Sequence, residues 1–190
     1  FFAAFQIPDF FFYTISAGAL GVAFMPFLAD HLERGDRKGM WQLVSSLMNL
    51  LLIVMAAVAA VIFLFAEPLI HHIVAPKLTG QHFTDAVVIM RLIAINPLLF
   101  TLSGILTSVQ QTFGRFFFYA IAPLFYNLSI IAGVYVFKHN IGVVRLGIGA
   151  LIGAVLQLGI ASLGLIGLGY TWRPKIMWRS RDFHTILRQL

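Results

Sequence analysis

The sequence predicts an all-α polytopic membrane protein: five transmembrane helices followed by an amphipathic helix on the membrane surface. Three observations predict it. Five apolar stretches are each long enough to cross a bilayer, the basic residues gather in the short segments between them, and a mean hydropathy of +0.92 goes with only 11% charged residues. A soluble domain carries about 25% charged residues to keep its surface solvated. This composition belongs in lipid.

Crossing a hydrocarbon core of about 30 Å takes about 20 predominantly apolar residues. The stretches that qualify are 3–29, 40–66, 86–109, 116–137 and 146–172, and only Asp9 and Arg91 place a formal charge within them. The segments 30–39, 67–85, 110–115 and 138–145 hold Gly, Pro or charged residues that interrupt the apolar runs, and they are read as loops. The opening residues, Phe1-Phe2-Ala3-Ala4-Phe5, lack an initiator Met, a basic flank and a cleavage site, which predicts a chain that starts within a helix.

Orientation follows from the Lys and Arg residues near the span ends. Arg34, Arg37, Lys38, Arg115, Arg173, Lys175, Arg179, Arg181 and Arg188 fall on one face, and Lys77, Lys138 and Arg145 on the other. The first face is therefore cytoplasmic, and residues 67–85 form an external loop. The basic charge, +6 net, marks membrane loops and excludes nucleic acid as the partner.

Residues 1–172 thus form the membrane part, and 173–190 a cytoplasmic linker. In the linker Phe183, Ile186, Leu187 and Leu190 recur at helical spacing, Ser180 suits the cap, and Asp182 and Arg188 suit the helix dipole. An amphipathic helix on the inner surface, with Trp172 and Trp178 at headgroup level, fits this pattern; a solvated linker helix is the other reading.

Ionisable groups at membrane depth face a protein interior or a water-filled cavity unless they snorkel to the interface. Asp9 lies 20 residues before Ala29 and Arg91 lies 18 before Val109. At about 1.5 Å per residue their depths differ by only ~3 Å, which allows them to pair. Asn96, Asn127, Gln110 and Gln157 add amides at membrane depth, as interhelical hydrogen-bonding groups or as the lining of a polar path. Pro8, Pro26, Pro97 and Pro123 are expected to bend their helices. Gly149 and Gly153, at small-xxx-small spacing, predict close helix packing.

Chemistry finds little support. The absence of cysteine excludes disulfides and thiol catalysis. His71-His72 and His82 lack a ligand spacing, so no metal is expected, and no nucleophile, carboxylate-pair or phosphate-loop constellation appears. No cofactor and no enzymatic activity are predicted.

Two motif groups go further. Ala4-Phe5-Gln6-Ile7-Pro8-Asp9 leads to Gly18-Ala19 and Ala23-Phe24-Met25-Pro26. Later come Met90-Arg91-Leu92 through Pro97, Gly114-Arg115-Phe116, Ala120-Ile121-Ala122-Pro123 and Asn127, then Gln157 and Arg173-Pro174-Lys175. In order and spacing these resemble helices two to six and the following linker of the MurJ/MviN family of lipid II flippases. The resemblance implies one part of a two-lobed transporter in the bacterial inner membrane that moves undecaprenyl-pyrophosphate-linked peptidoglycan precursor to the outer leaflet by alternating access. It also implies the remainder of the chain and cell-wall synthesis proteins as partners. A related drug or polysaccharide-lipid exporter, or a non-transporting scaffold of cell-wall synthesis, are the alternatives. Phe12 stands where that family commonly has a basic residue, and Ala17 where it has an acidic one. The anion-binding charge is therefore expected from Arg91, from parts beyond this chain, or from nowhere, the last implying a different substrate or a degenerate paralogue.

Overall fold

A computed structural model describes residues 2–14, 24–136, 142–174 and 185. Seven α-helices occur among them: α1 Phe2–Phe12, α2 Met25–Glu33, α3 Arg37–Leu69, α4 Gly80–Ile93, α5 Asn96–Thr112, α6 Phe117–Val136 and α7 Val144–Leu163. A π-helical turn, Ile70–Val74, extends α3. No strand is present among the described residues, and the fold is an all-α polytopic membrane bundle. Four helical stretches are long and apolar enough to cross a membrane: Arg37–Val74, Gly80–Thr112, Phe117–Val136 and Val144–Leu163. Of the first stretch, α1 and α2 are described, and the middle lies outside the described residues. The linker from 175 onward, Thr185 excepted, also lies outside them, so its amphipathic helix is not placed.

The exterior of the bundle is apolar, and several polar side chains turn inward. Phe63, Leu64, Leu124, Leu128 and Tyr135 are exposed, whereas Ser45, Ser46, Asn96, Thr101, Ser103, Ser108 and Gln110 are buried. Exposed apolar area on this scale suits lipid as the solvent, where polar groups gain by turning inward. Several buried hydroxyls bond back to their own helix, as Thr101 Oγ1 does to the Pro97 carbonyl at 2.7 Å.

Proline and glycine set the shape. Pro97 cannot donate to the Ile93 carbonyl, and the long apolar helix breaks at residues 94–95 between α4 and α5. In α3 the backbone leaves helical geometry at Phe65, three residues before Pro68. Pro26 and Pro97 occupy the first turns of α2 and α5, where a missing N–H costs nothing, while Pro8 and Pro123 sit inside α1 and α6.

Glycines bring α6 and α7 together. A Cβ on Gly149 would lie 2.9 Å from Ile130 Cα, and one on Gly153 would lie 2.8 Å from the Tyr126 carbonyl oxygen. The small-residue spacing in α7 thus does what it predicts.

Two apolar clusters fill the bundle. One, around Met40, Leu47, Ile105 and Ala161, joins α2, α3, α5 and α7. The other, around Ala4, Ile62, Ile70, Ile89 and Ile93, joins α1, the end of α3, the π turn and α4.

Three connections differ from the sequence reading. Helix continues through Glu67 to Val74 and resumes at Gly80, leaving only 75–79 of the external loop. Hydropathy marks contact with lipid, and a helix does not stop where lipid does. The connection between α2 and α3 is likewise only 34–36, where Gly35 takes φ +71°. Finally, the stretch read as 146–172 is helical only to Leu163; turns follow over 164–169, with Gly167 and Gly169 at φ +81° and +75°, conformations that only glycine adopts readily.

Candidate functional site

The helix break puts Asn96 at the start of α5, and the face it occupies continues through Ser103 and Gln110. These residues are spaced by seven, two helical turns, so they share one side of α5. All three are buried, at 3%, 1% and 0% exposure. Asn96 Nδ2 and Oδ1, Ser103 Oγ and Gln110 Oε1 find no hydrogen-bond partner among the described residues. A buried polar group without a partner costs about 1–3 kcal/mol, so a polar seam of this kind is an expense that packing alone does not explain.

Gln110 has one firm tie: its Nε2 donates to the Ala161 carbonyl at 2.7 Å. Ala161 lies in the last turn of α7, whose carbonyls have no acceptor role within the helix. Arg115 extends the same capping, its Nη1 donating to the Ile166 carbonyl at 2.7 Å. Gly164 passes so close to the Gln110 amide that any side chain there would displace it.

The residues expected at a substrate cavity are spread over five helices, α1 and α4 to α7. Asp9 is half-buried on α1, beside the buried Pro8. Arg91 is exposed on α4, whose Ala86, Val87, Ile89, Met90 and Ile93 turn to the core. No salt bridge joins Asp9 to Arg91 among the described residues. Matching depth left the rotation of each helix about its own axis undetermined. Asn127 is exposed on α6, with Nδ2 donating to the Pro123 carbonyl at 3.2 Å. Gln157 is half-buried on α7. Of the five, only Asn96 lies in the buried seam.

Phe12 does not stand idle at its position. Its ring meets Phe100 edge-on at 5.6 Å, and Phe100 meets Tyr126 at 5.1 Å, so an aromatic chain links α1, α5 and α6. In the π turn the His71 and His72 rings lie 4.5 Å apart, His71 against Phe83, and His72 Nδ1 donates to the Pro68 carbonyl. These contacts tie the π turn to α3 and α4.

Sequence reasoning missed Ser103 and the strap formed by 164–173. The seven-residue spacing from Asn96 was the available signal for Ser103. For the strap there was none, because its partners on α3 lie more than a hundred residues away. Ser45 Oγ donates to the Thr171 carbonyl and accepts from the Arg173 amide, while Asn49 Nδ2 donates to the Arg173 carbonyl at 2.7 Å and its Oδ1 accepts from Trp172 Nε1.

A lipid-facing exterior, a proline-broken helix and a buried polar seam along it together define a class: α-helical multi-pass membrane proteins with a bent, polar-lined core. The comparisons narrow it. A family model described as "Lipid II flippase MurJ" matches residues 1–190, and the chain belongs to that family. It is 24% identical over 183 residues to the probable lipid II flippase MurJ of Borreliella burgdorferi, covering 96% of this chain and 36% of that protein. To the probable lipid II flippase MurJ of Rhizobium tropici it is 24% identical over 137 residues, 71% of this chain and 26% of that protein. The chain thus spans about a third of the length of the curated relatives it matches.

Proposed function

We propose that this chain forms part of the first lobe of a flippase that moves lipid-linked peptidoglycan precursor from the inner to the outer leaflet of the bacterial inner membrane by alternating access. The observation that carries the reading is the family match along residues 1–190. The break at residues 94–95 supports it, because discontinuous helices at membrane depth are where transporters place their sites. Asn96, Arg91, Asp9, Asn127 and Gln157 are the proposed cavity residues, acting by binding rather than by bond-making chemistry. Residues 1–172 supply five spans with the basic end toward the cytoplasm, and 173–190 lie along the inner surface. The partners in this reading are the undecaprenyl-pyrophosphate lipid, the remainder of the chain and cell-wall synthesis proteins.

Complementation tests it. The full-length gene, expressed in a bacterium depleted of its own flippase, is expected to restore growth and the arrival of precursor in the outer leaflet. Asn96→Ala and Arg91→Gln are each expected to lower that arrival about tenfold, the worth of one hydrogen bond to a charged group. Failure of the unmodified gene overturns the reading.

One observation favours a second reading. The packing of Phe12 on Phe100 places aromatic rings where the resemblance calls for a cation, which suits a related exporter of less anionic cargo or a scaffold without transport. Rescue by Phe12→Arg but not by the unmodified protein is the outcome that would select the exporter. Growth defects on deletion without any change in precursor flipping would select the scaffold.

A further inference from the structure

Between α3, α5 and α7, near the basic end, runs an open apolar groove of about 860 Å³. Met48, Leu52, Leu106, Leu158 and Leu165 line it, with Trp172 among its walls. A second recess of about 310 Å³ adjoins it, lined by Arg37, Lys38 and Arg173 together with Trp41, Gln42 and Thr171. Gly169 lines both, so the cationic recess and the apolar groove meet at this residue.

We propose that this pair of recesses is a binding site for an anionic diacyl phospholipid, with the phosphate headgroup among Arg37, Lys38 and Arg173 and the acyl chains along the groove. Charge complementarity selects the occupant. Among the described residues, three cations and no carboxylate line the headgroup recess. Two acids of the adjoining segment are engaged elsewhere: Asp36 Oδ1 accepts from the Gly39 amide at 2.9 Å, and Asp30 pairs with Arg34 at 2.9 Å. Basic recesses between membrane helices at the inner surface are where anionic lipid heads bind. The order of the parts also fits, cations at the end of the bundle and apolar walls at membrane depth.

The site is built rather than incidental. Ser45 and Asn49 fasten 171–173 to α3, which fixes the wall that carries Trp172 and Arg173. The Trp41 ring stacks on Phe113 at 6.0 Å and meets Tyr170 edge-on at 5.3 Å. The Arg37 guanidinium lies 5.8 Å from the centre of the Phe113 ring, which holds it at the recess. A pre-formed recess spends little of its binding energy on ordering. None of this depends on what the protein transports, so a failed complementation leaves the proposal standing or falling on its own test.

The test uses the full-length protein in bilayer nanodiscs with phosphatidylglycerol or phosphatidylcholine carrying a photoactivatable group on one acyl chain, the adducts being mapped by mass spectrometry. Labelling of the peptides holding Leu106, Leu158 and Leu165 is expected to be much stronger with phosphatidylglycerol. Each cation removed is expected to reduce the preference about fivefold, so Arg37→Gln, Lys38→Gln and Arg173→Gln together should abolish it, while Arg37→Lys with Arg173→Lys should retain it. Leu158→Trp, which fills the groove, should abolish labelling by both lipids; if that variant does not fold, the charge series still decides. Equal labelling by the two lipids, or a preference unchanged in the triple variant, overturns the proposal. So does high-yield disulfide formation between Leu158→Cys and Ile186→Cys in this cysteine-free chain, since the linker would then be the occupant.

Discussion

At the basic end, Ser45, Asn49, Gln110 and Arg115 reach across to backbone groups of the last turn of α7 and the strap that follows it. At the opposite end, α6 and α7 touch glycine to backbone, and α1, the π turn and α4 close around Ile62, Ile70 and Ile89. The contrast follows from the solvent each region meets, the strap lying past the helix ends and Gly149 and Gly153 lying within α7. Near the headgroups water competes for hydrogen bonds, so each polar tie is worth little singly, and several are needed to hold a non-helical segment. Inside the hydrocarbon no hydrophobic drive pulls helices together, and close approach of small residues supplies the dispersion that does. A strap held by exchangeable bonds can loosen without unfolding the bundle. A glycine contact cannot.

The largest effect is expected where backbones touch. Gly149→Val would place a branched side chain against Ile130 Cα and the Ser129 carbonyl oxygen, both 2.9 Å from its Cβ. Neither can give way, and destabilisation of at least about 3 kcal/mol is expected. Thermal unfolding in detergent measures it. Gly159→Ala is the control: nothing lies within 4 Å of its Cβ, so the change should be within about 0.5 kcal/mol. Equal losses at both positions would show that helix propensity, not contact, governs this end.

Next come the two ends of the polar seam, which should respond with opposite signs. Gln110→Leu removes the cap on the Ala161 carbonyl and is expected to cost about 1–2 kcal/mol. Asn96→Leu removes two unpartnered polar atoms and is expected to stabilise by about 1 kcal/mol, while transport in the complementation assay falls. A stabilised and fully active Asn96→Leu protein would remove Asn96 from the proposed site.

The two ends were unequally legible in the sequence. Gly149 and Gly153 announced a close helix contact, because small residues at helical spacing let backbones approach, but not that α6 is the partner. Pro97 suggested a bend within one span, where the structure has α4 end and α5 begin. The gathering of Arg37, Arg115 and Arg173 at one end followed from counting charges. The polar ties did not, because Gln110 meets a carbonyl 51 residues away, and Asn49 one 124 away; no local pattern encodes such a partner. Asp9 and Arg91 show the same limit from another side. Rise per residue gave their depth, but the direction in which Arg91 leaves α4 is set by which apolar face that helix buries.

A smaller effect probes the strap. Ser45→Ala removes the acceptor of the Arg173 amide, at 3.3 Å, and the donor to the Thr171 carbonyl, at 3.4 Å. Both bonds are long, so global stability should fall by only about 0.5–1 kcal/mol. Exchange of the Arg173 amide should nevertheless speed up several-fold, while amides within α7 stay protected. Uniform acceleration would mean that the strap and the bundle open together, and the contrast between the two ends would fail.

The smallest expected effect concerns Arg34, which pairs with Asp30 one turn earlier at 2.9 Å with both side chains largely exposed. Such a pair contributes about 0.3–0.5 kcal/mol, so Arg34→Gln should leave the melting curve nearly unchanged. Its charge has a second role in the proposed orientation, where it is one of nine basic residues on one face against three on the other. Eight against three keeps the same sign, and reporter fusions after α3 and α6 should show unaltered topology. Replacing Arg34, Arg37, Lys38 and Arg115 together leaves five against three, and mixed topology is expected first in the spans nearest the lost charges. Unmixed topology in that quadruple variant would place the orienting signal in the cations around Arg173 and beyond, the same end to which the proposed lipid site belongs.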